Sequence, residues 1–442
     1  MSPRQRTIFV VSLFYLTIFA PLTALTYLAY VEAIAAPGRG NTVEPGSAAD
    51  ICRWTIYADG SSYLAKDGQQ GGNIASNTDF DVLVQGRLDS GTGQVCLEGM
   101  TATYDTTLTL GTGDSLIGAG TALTTLSFTG TTTPAIRAQG TVGTPLSNIR
   151  IIDLTVDGDG ISRTGVYGLH LRHVTNPFFV ERVKITEMGD WGLFLDGGVY
   201  TVQFNRLIIA GNLGGAINLN VADALFPNSN VFLHPHISGH NVATVVFITS
   251  SSESNTFIAP HFESNTMSTA LVRIATSAIY NRFESVEAID NTYTGGVPMF
   301  NLAGASLGTQ IIGGTLEQSL ASSAAVLIEG TSDFNIISGL YLTGNSNVAA
   351  SITSSGTANR VENIVRSGGV TGITKNQGSA TIVASTTVIV THNLALTPTV
   401  VTVTSRSTGY GTIAVTARGA TTFTITVTTS GTYTVDWDAN TY

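Results

Sequence analysis

The sequence has few charged residues and no basic cluster. Charged side chains make up 11% of its 442 residues, and 20 Lys and Arg face 30 Asp and Glu, which gives a formal net charge of −10. A chain without a basic run or patch lacks what binding to nucleic-acid phosphates requires, so no nucleic-acid partner is expected. The 43% of apolar residues is enough for a buried core. A polar, nearly uncharged surface rich in Ser, Thr and Asn suits glycans.

Several familiar motifs are also missing. There is no phosphate-binding loop before a helix, no EF-hand spacing and no Asn-x-Ser/Thr sequon. No cofactor is expected, although the "DGDG" segment with Asp157 and Asp159 could hold Ca²⁺ weakly.

Residues 1–36 contain the longest apolar stretch. No charge occurs from Ile8 to Tyr30, which is long enough to cross a bilayer as a helix, and Arg4 and Arg6 precede it. The basic start places the following chain outside the cytoplasm. A retained signal anchor and a signal peptide cleaved after "AIA" are both open, and either one predicts an extracellular, membrane-anchored or secreted protein.

The only two cysteines are Cys52 and Cys96. In an exported chain they are expected to form a disulfide, which would stabilise the fold by about 3 kcal/mol in the loop-entropy model. Two buried free thiols are the alternative.

A repeat of about 26 residues begins near residue 150. The pattern apolar-x-x-apolar-x-apolar starts, at intervals of 24 to 29 residues, at Ile151, Val180, Phe204, Phe232, Phe257, Phe283, Ile311, Ile337 and Val361. A second set of short period-two segments, among them "GLHL", "GLFL" and "AINL", recurs half a period away. No segment here has helical periodicity. Units too small to bury their own apolar face imply a solenoid, and these short strands imply a parallel β-helix.

Residues 101–378 resemble the pectin-lyase-like right-handed parallel β-helix superfamily. The segment "SLIGAGTALTTLSF" resembles an early rung, with Leu116, Gly118, Gly120 and Leu126 at the family's spacing. The resemblance implies an all-β solenoid, with residues 37–100 as a linker and N-terminal cap. The superfamily includes lyases, hydrolases, adhesins and viral tailspikes.

Residues 379–442 lack the repeat and predict a small antiparallel β-sandwich. The segments "PTVVTVT", "TTFTITV" and "YTVDWDA" resemble H-type lectin domains and viral tail-fibre tips. That resemblance implies a sugar-binding, trimer-forming module, and we expect a homotrimer more than sugar binding there.

The family's substrate groove would follow the strand that carries "GLHL". Carboxylates on neighbouring rungs can stand at the separations that glycoside hydrolysis uses. The catalytic candidates on this face are Asp157, Asp159, His170, Arg172, Asp190 and Asp196. The Asn-Thr-Asp, Asp-Asp and Gly-His-Gly motifs of polygalacturonase-like hydrolases are absent, and His170 stands where those enzymes place an Asp. We therefore expect solvated polar residues here more than a catalytic groove.

Other residues are candidates for ligand binding. Trp191, Asn218, Asn220 and Trp437 are the candidate glycan-binding residues. In "NVFLHPHISGHN", the repeat places His234 at a corner and directs His236 outward. His261 and Glu287 occupy the position equivalent to His236 on the next two rungs. His236, His261 and Glu287 thus form a surface column that a metal could join, although the spacing does not demand one.

Three functions stay open. The first is an extracellular β-helix spike or adhesin, on a cell or a virion, that recognises a polysaccharide or a glycosylated receptor. The second is a secreted polysaccharide lyase or glycoside hydrolase. The third is a structural coat or filament subunit. The missing catalytic motifs favour the first and argue against an enzyme.

Overall fold

The structure is a computed structural model that describes residues 52–68, 71–90, 93–160, 164–318, 324–344, 352–354, 358–365, 375–392, 394 and 397–441. In these ranges the regular secondary structure is almost entirely β-strand and forms two large sheets and one smaller one. No helix in the described part of the chain is long and apolar enough to span a bilayer. The apolar segment at residues 8–30 lies outside the described residues.

Strands are numbered in chain order. The first sheet contains β1 (Trp54–Asp59), β2 (Ser62–Asp67), β3 (Asn73–Asn77), β4 (Gln94–Leu97), β5 (Met100–Tyr104), β7 (Ser115–Ile117), β8 (Thr124–Phe128), β10 (Ile149–Asp157), β12 (Phe178–Thr186), β14 (Gln203–Asn205), β15 (Ile208–Ala210), β17 (Val231–Leu233), β18 (His236–Ser238), β20 (Thr256–Ile258), β21 (His261–Glu263), β23 (Arg282–Ile289), β26 (Gln310–Gln318), β28 (Ile336–Gly344) and β30 (Arg360–Glu362). The second sheet contains β6 (Leu108–Leu110), β9 (Ile136–Gln139), β11 (Leu169–Val174), β13 (Trp191–Val199), β16 (Gly215–Asn220), β19 (Asn241–Ile248), β22 (Thr266–Ile274), β24 (Thr292–Tyr293), β25 (Phe300–Leu302), β27 (Val326–Ile328) and β29 (Ile352–Ser354).

Strand β2 pairs antiparallel with β1 and with β3. From β4 onward the chain passes back and forth between the two sheets, and strands one turn apart pair in parallel. In the first sheet β10 pairs with β12, and in the second sheet β11 pairs with β13. The expected parallel β-helix is therefore confirmed, because the repeat unit of the sequence is one turn of the solenoid.

The predicted apolar positions of the repeat line the core. The nine residues that begin the repeats, from Ile151 to Val361, are at most 1% exposed. Four of them form a stack along the axis: the rings of Phe204, Phe232, Phe257 and Phe283 lie 4.5, 4.3 and 4.7 Å apart, with interplanar angles of 5° or less. The corner slot predicted for His234 is a left-handed position, with φ values of 57°, 50°, 53° and 49° at Asp153, Arg182, Arg206 and His234.

Two ladders of buried asparagines run along other corners. In the first ladder, Asn255 Oδ1 accepts the backbone N–H and the side-chain amide of Asn230, and Asn255 donates in turn to Asn281 Oδ1. The second ladder runs through Asn212, His240, Asn265 and Asn291. These bonds satisfy backbone N–H groups that the turns leave outside the sheets.

The only helix among the described residues, α1 (Phe80–Leu88), covers the open edge of the second sheet. The Gln85 side chain accepts from the N–H of Thr109 and donates to its carbonyl oxygen, so it bonds strand β6 as a neighbouring strand would. Phe80 packs edge-on against Tyr104, with ring centroids 6.0 Å apart. Near this end a disulfide joins Cys52 to Cys96, with the Cα atoms 5.6 Å apart.

The C-terminal sheet is antiparallel and contains β31 (Lys375–Thr391), β32 (Val400–Ser405), β33 (Ile413–Arg418) and β34 (Thr422–Asn440). Strand β34 pairs with β31 along most of its length, and with β33 and β32 on its two halves. The rings of Phe423 and Trp437, near opposite ends of β34, are 5.3 Å apart. The strand must bend for these rings to meet. The two layers of the predicted β-sandwich are therefore the two halves of one folded sheet.

Candidate functional site

One row of side chains runs along the outer face of the second sheet, and we call it the central row. Each member lies between two chain neighbours that are buried in the core, except that Ser354, which follows Thr353, is half-buried. Parallel pairing places the members one strand apart, about 4.8 Å per step. The row is Thr109, Arg137, His170, Phe194, Asn218, Phe247, Arg273, Asn301, Leu327 and Thr353.

Two members of the central row are buried although the row faces outward, seven are half-buried, and Thr353 is exposed. Asn218 is 9% exposed and Asn301 is 8% exposed. Five members carry a buried polar atom without a hydrogen bond: Arg137 Nε, His170 Nε2, Asn218 Oδ1, Arg273 Nε and Asn301 Oδ1. Buried polar groups in proteins are nearly always paired, and each unpaired one costs about 1–3 kcal/mol. Such atoms require a partner from outside the chain, either water or a ligand.

Aromatic rings lie between these polar atoms. Tyr167, in the turn before β11, stacks on Phe194 with ring centroids 4.3 Å apart and an interplanar angle of 11°. His170 lies 5.7 Å from the Tyr167 ring and 5.3 Å from the Phe194 ring. Farther along, the Arg273 guanidinium lies 5.7 Å from the centre of the Phe247 ring. The row therefore combines flat apolar faces with unpaired donors and acceptors.

A network of charges borders the row on one side. Arg172 bridges two carboxylates, with Nη1 3.4 Å from Asp196 Oδ2 and Nη2 2.5 Å from Asp223 Oδ2. Asn220 donates to Asp196 Oδ1 at 2.9 Å, and His170 Nε2 lies 3.7 Å from Asp196 Oδ2, which is beyond hydrogen-bond range. His173 Nε2 lies 2.9 Å from Asp223 Oδ2.

These contacts keep both carboxylates ionised. Burial raises the pKa of Asp196, but the His170 and Asn220 side chains and the Arg172 charge outweigh it, and the net pKa is lowered. Hydrogen bonds from Arg172 and His173 lower the pKa of Asp223. Burial, and then the charges of Asp190 and Asp196, raise the pKa of Tyr167, so this phenol keeps its proton at neutral pH.

The other catalytic candidates have local structural contacts. Asp157 Oδ1 accepts from the N–H of Asp159 in the turn after β10, and Asp159 has a φ of 61°. Asp190 Oδ2 accepts from the N–H of Gly165 at 2.9 Å, which holds the segment that leads to Tyr167. Of the six predicted catalytic residues, His170, Arg172 and Asp196 converge, and the other three shape the turns beside them.

The glycan-binding candidates separate into two groups. Asn218 belongs to the central row, and Asn220 donates to Asp196. Trp191 is half-buried, and its ring lies against the backbone of Gly215 in the next turn, where an added Cβ would be 2.3 Å from the ring. Trp437 lies in the core of the C-terminal sheet at 8% exposure, packed against Phe423.

The predicted histidine column exists and includes one further residue. His236 and His261 are paired residues on β18 and β21, with ring centroids 5.0 Å apart. Glu263 lies between them, with Oε1 2.8 Å from His236 Nε2 and Oε2 3.1 Å from His261 Nε2. Glu287 Oε2 lies 2.8 Å from His261 Nδ1. Burial lowers the pKa of His261, but its hydrogen bonds with Glu263 and Glu287 outweigh burial and raise it.

Sequence reasoning missed Tyr167, Phe194, Phe247, Arg273 and Glu263. A signal for three of them was present, because Phe194, Phe247 and Arg273 are the middle residues of the aligned segments "GLFL", "VFI" and "VRI". Glu263 follows His261 by two residues and so shares its face of the strand. Tyr167 lies in a turn, where the period of the repeat gives no register.

No family model matches the chain, and no curated protein matches it. Among solved structures, the A-module of the Azotobacter vinelandii mannuronan C-5 epimerase AlgE4 is similar over 67% of this chain and 96% of its own, at 16% identity and a TM-score of 0.45. The tailspike protein of an Acinetobacter phage is similar over 82% of this chain and 85% of its own, at 11% identity and a TM-score of 0.44. PfbA, a surface adhesin of Streptococcus pneumoniae, is similar over 65% of this chain and 87% of its own, at 12% identity and a TM-score of 0.42.

Proposed function

We propose that this protein is an extracellular β-helix spike or adhesin that binds an extended glycan along the central row. The observation that carries the proposal is the run of buried, unpaired polar atoms from Arg137 to Asn301 beside the rings of Phe194 and Phe247. A ligand lying parallel to the solenoid axis would meet one row member on each turn of the solenoid.

The chemistry of the row favours a polymer rich in hydroxyl groups. Its unpaired atoms include donors, such as Arg273 Nε, and acceptors, such as Asn218 Oδ1. A hydroxyl can serve either kind, whereas a phosphate oxygen can only accept. The flat rings of Phe194 and Phe247 suit the apolar C–H faces of pyranose rings. The net charge of −10 argues against a strongly anionic polymer.

The site supports binding better than hydrolysis. Glycoside hydrolysis needs one carboxylic acid that holds its proton at working pH, which requires a raised pKa. The pKa values of Asp196 and Asp223 are both lowered, and Arg172 lies between the two carboxylates. Neither residue is suited to donate a proton to a leaving group.

A second candidate is a polysaccharide lyase, favoured by the proximity of Tyr167 and His170. His170 Nε2 has no hydrogen bond and would take the proton from carbon, while the protonated phenol of Tyr167 would give one to the departing oxygen as the C–O bond breaks and a C=C bond forms. This reaction requires a uronic acid in the glycan.

Incubation of the full-length protein with neutral and uronic-acid polysaccharides tests both candidates. Retention on immobilised polysaccharide without chain shortening supports the spike. Shortening with unsaturated ends that is lost in Tyr167→Phe establishes the lyase instead. Shortening that is lost in Asp196→Asn, without unsaturated ends, establishes a hydrolase. If no polymer is retained and none is shortened, the result favours the structural coat subunit.

Surface display and trimerisation belong to the same proposal. The disulfide between Cys52 and Cys96 supports an oxidising compartment, and the apolar segment Ile8–Tyr30 would hold the chain at a membrane. Val383, Ile389 and Val400 of the C-terminal sheet are 65%, 70% and 48% exposed, and a trimer contact would cover such residues. Light scattering tests this point: wild type should have three times the mass of the Ile389→Asp variant, and equal masses would contradict it.

A further inference from the structure

We propose that His236, His261 and Glu263 form a Zn²⁺ site that joins two adjacent turns of the solenoid. The site lies on the outer face of the first sheet, whereas the central row lies on the second sheet, so it is independent of glycan binding. One ligand comes from β18 and two come from β21.

The three ligand atoms already converge. One ring nitrogen of His236, one ring nitrogen of His261 and one carboxylate oxygen of Glu263 all lie within 4.8 Å of one another. Oε1 of Glu263 lies 2.8 Å from His236 Nε2, and Oε2 lies 3.1 Å from His261 Nε2, so each carboxylate oxygen faces one imidazole. Ligand atoms bound to one tetrahedral zinc at about 2.0–2.1 Å are about 3.3 Å apart, so shifts of at most about 1.5 Å bring the three ligand atoms to that spacing.

Backbone pairing fixes this convergence. His236 and His261 are register partners in neighbouring parallel strands, as are Ser238 and Glu263. Side chains two residues apart on a strand share a face, so Glu263 follows His261 onto the surface that His236 also occupies. Ligands on paired strands are held more rigidly than ligands on loops.

Glu287 supplies the observation that points to a cation. Its Oε2 lies 2.8 Å from His261 Nδ1 and accepts a hydrogen bond there. With Nδ1 of His261 engaged by Glu287, Nε2 is the ring nitrogen that faces Glu263, at 3.1 Å from Oε2. A carboxylate that orients a histidine through its other nitrogen is typical of zinc sites.

The ligand set selects the type of metal. Two imidazoles and one carboxylate suit Zn²⁺, while Ca²⁺ and Mg²⁺ prefer oxygen ligands. The His236, His261 and Glu263 side chains are 40%, 28% and 37% exposed, so an ion can enter from solvent and a water can complete the tetrahedron.

Calorimetric titration of the metal-stripped, full-length protein without a histidine tag tests the site. The wild type should bind one Zn²⁺ per chain, and it should not bind Ca²⁺ there. Glu263→Gln and His261→Ala should each weaken Zn²⁺ binding by more than about 100-fold, and Glu287→Gln by about 10- to 100-fold. Zn²⁺ should raise the melting temperature of the wild type and not that of Glu263→Gln.

His234→Ala is the matched control, because His234 is exposed at the neighbouring corner. It should bind Zn²⁺ as tightly as the wild type does. A wild type that takes up no Zn²⁺, or uptake that survives both Glu263→Gln and His261→Ala, would overturn the site.

Discussion

The Nδ1 atom of His240 lies 3.0 Å from Oδ1 of Asn265, one turn further along the second asparagine ladder. On its other side, His240 Nε2 lies 3.3 Å from Nδ2 of Asn212. Asn265 accepts and Asn212 donates, so the imidazole is held neutral, with its proton on Nδ1. His240 is 1% exposed, and it occupies a position where the ladder otherwise has asparagine.

This arrangement predicts that acid lowers the free energy of unfolding of the wild type. In His240→Asn this contribution to the pH dependence should be absent. Burial lowers the pKa of His240 from 6.5 to about 4, although its bond to Asn265 acts in the opposite direction. The unfolded chain therefore takes up a proton first as the pH falls. The stabilisation is complete above about pH 6.5 and is lost towards pH 4, by about 3 kcal/mol.

Urea unfolding of wild type and variant between pH 7.5 and pH 4 measures the effect. The free energy of unfolding of the wild type should fall by about 3 kcal/mol more than that of His240→Asn. The exposed His234→Asn should keep the wild-type slope. Equal slopes for wild type and His240→Asn would contradict the prediction.

The first asparagine ladder predicts that Asn255→Ala strongly lowers the free energy of unfolding. The substitution leaves the backbone N–H and side-chain amide of Asn230 without their acceptor, and Pro227 O loses a donor. We expect a loss of about 3 kcal/mol in the free energy of unfolding, from denaturant titration. The exposed Asn241→Ala should change it by less than about 0.5 kcal/mol. Similar free energies of unfolding for the two variants would show that the ladder contributes little to stability.

The phenylalanine stack predicts that the loss of stability at Phe257 depends on how much of the ring volume the substitution removes. Its ring lies between those of Phe232 and Phe283 and is fully buried. Phe257→Ala should lower the free energy of unfolding by about 3–5 kcal/mol, and Phe257→Leu by less, because leucine fills more of the space. Phe334→Ala, at a residue 65% exposed, is the control and should have little effect. A leucine variant as unstable as the alanine variant would contradict the packing argument.

Asn218→Leu should separate stability from binding. The substitution keeps the number and branching of the side-chain heavy atoms and removes a buried oxygen that has no hydrogen-bond partner, so stability should stay constant or rise by about 1 kcal/mol. Retention on the polysaccharide that binds wild type should fall by about tenfold, since a loss of about 1.4 kcal/mol corresponds to that factor. Asn241→Leu should leave retention unchanged. Unchanged retention in Asn218→Leu would remove this residue from the binding surface.

The sequence alone determined the solenoid. An apolar residue at every 24 to 29 positions can be buried only if successive repeats stack, because one repeat cannot enclose its own core. The same register correctly predicted the buried Phe232 and Ile237, the corner position of His234 and the outward face of His236.

Tertiary structure decided which polar residues act together. Glu263 meets His236 because two strands pair in register, and Asp223 meets Arg172 across 51 positions of the chain through a turn that the repeat does not constrain. Asp157 and Arg172 looked alike in the sequence as groove candidates, but turn geometry directs Asp157 to its own backbone and Arg172 to Asp196 and Asp223. The periodic pattern specifies on which side of the sheet a side chain lies. Turns and neighbouring strands specify which residues that side chain contacts.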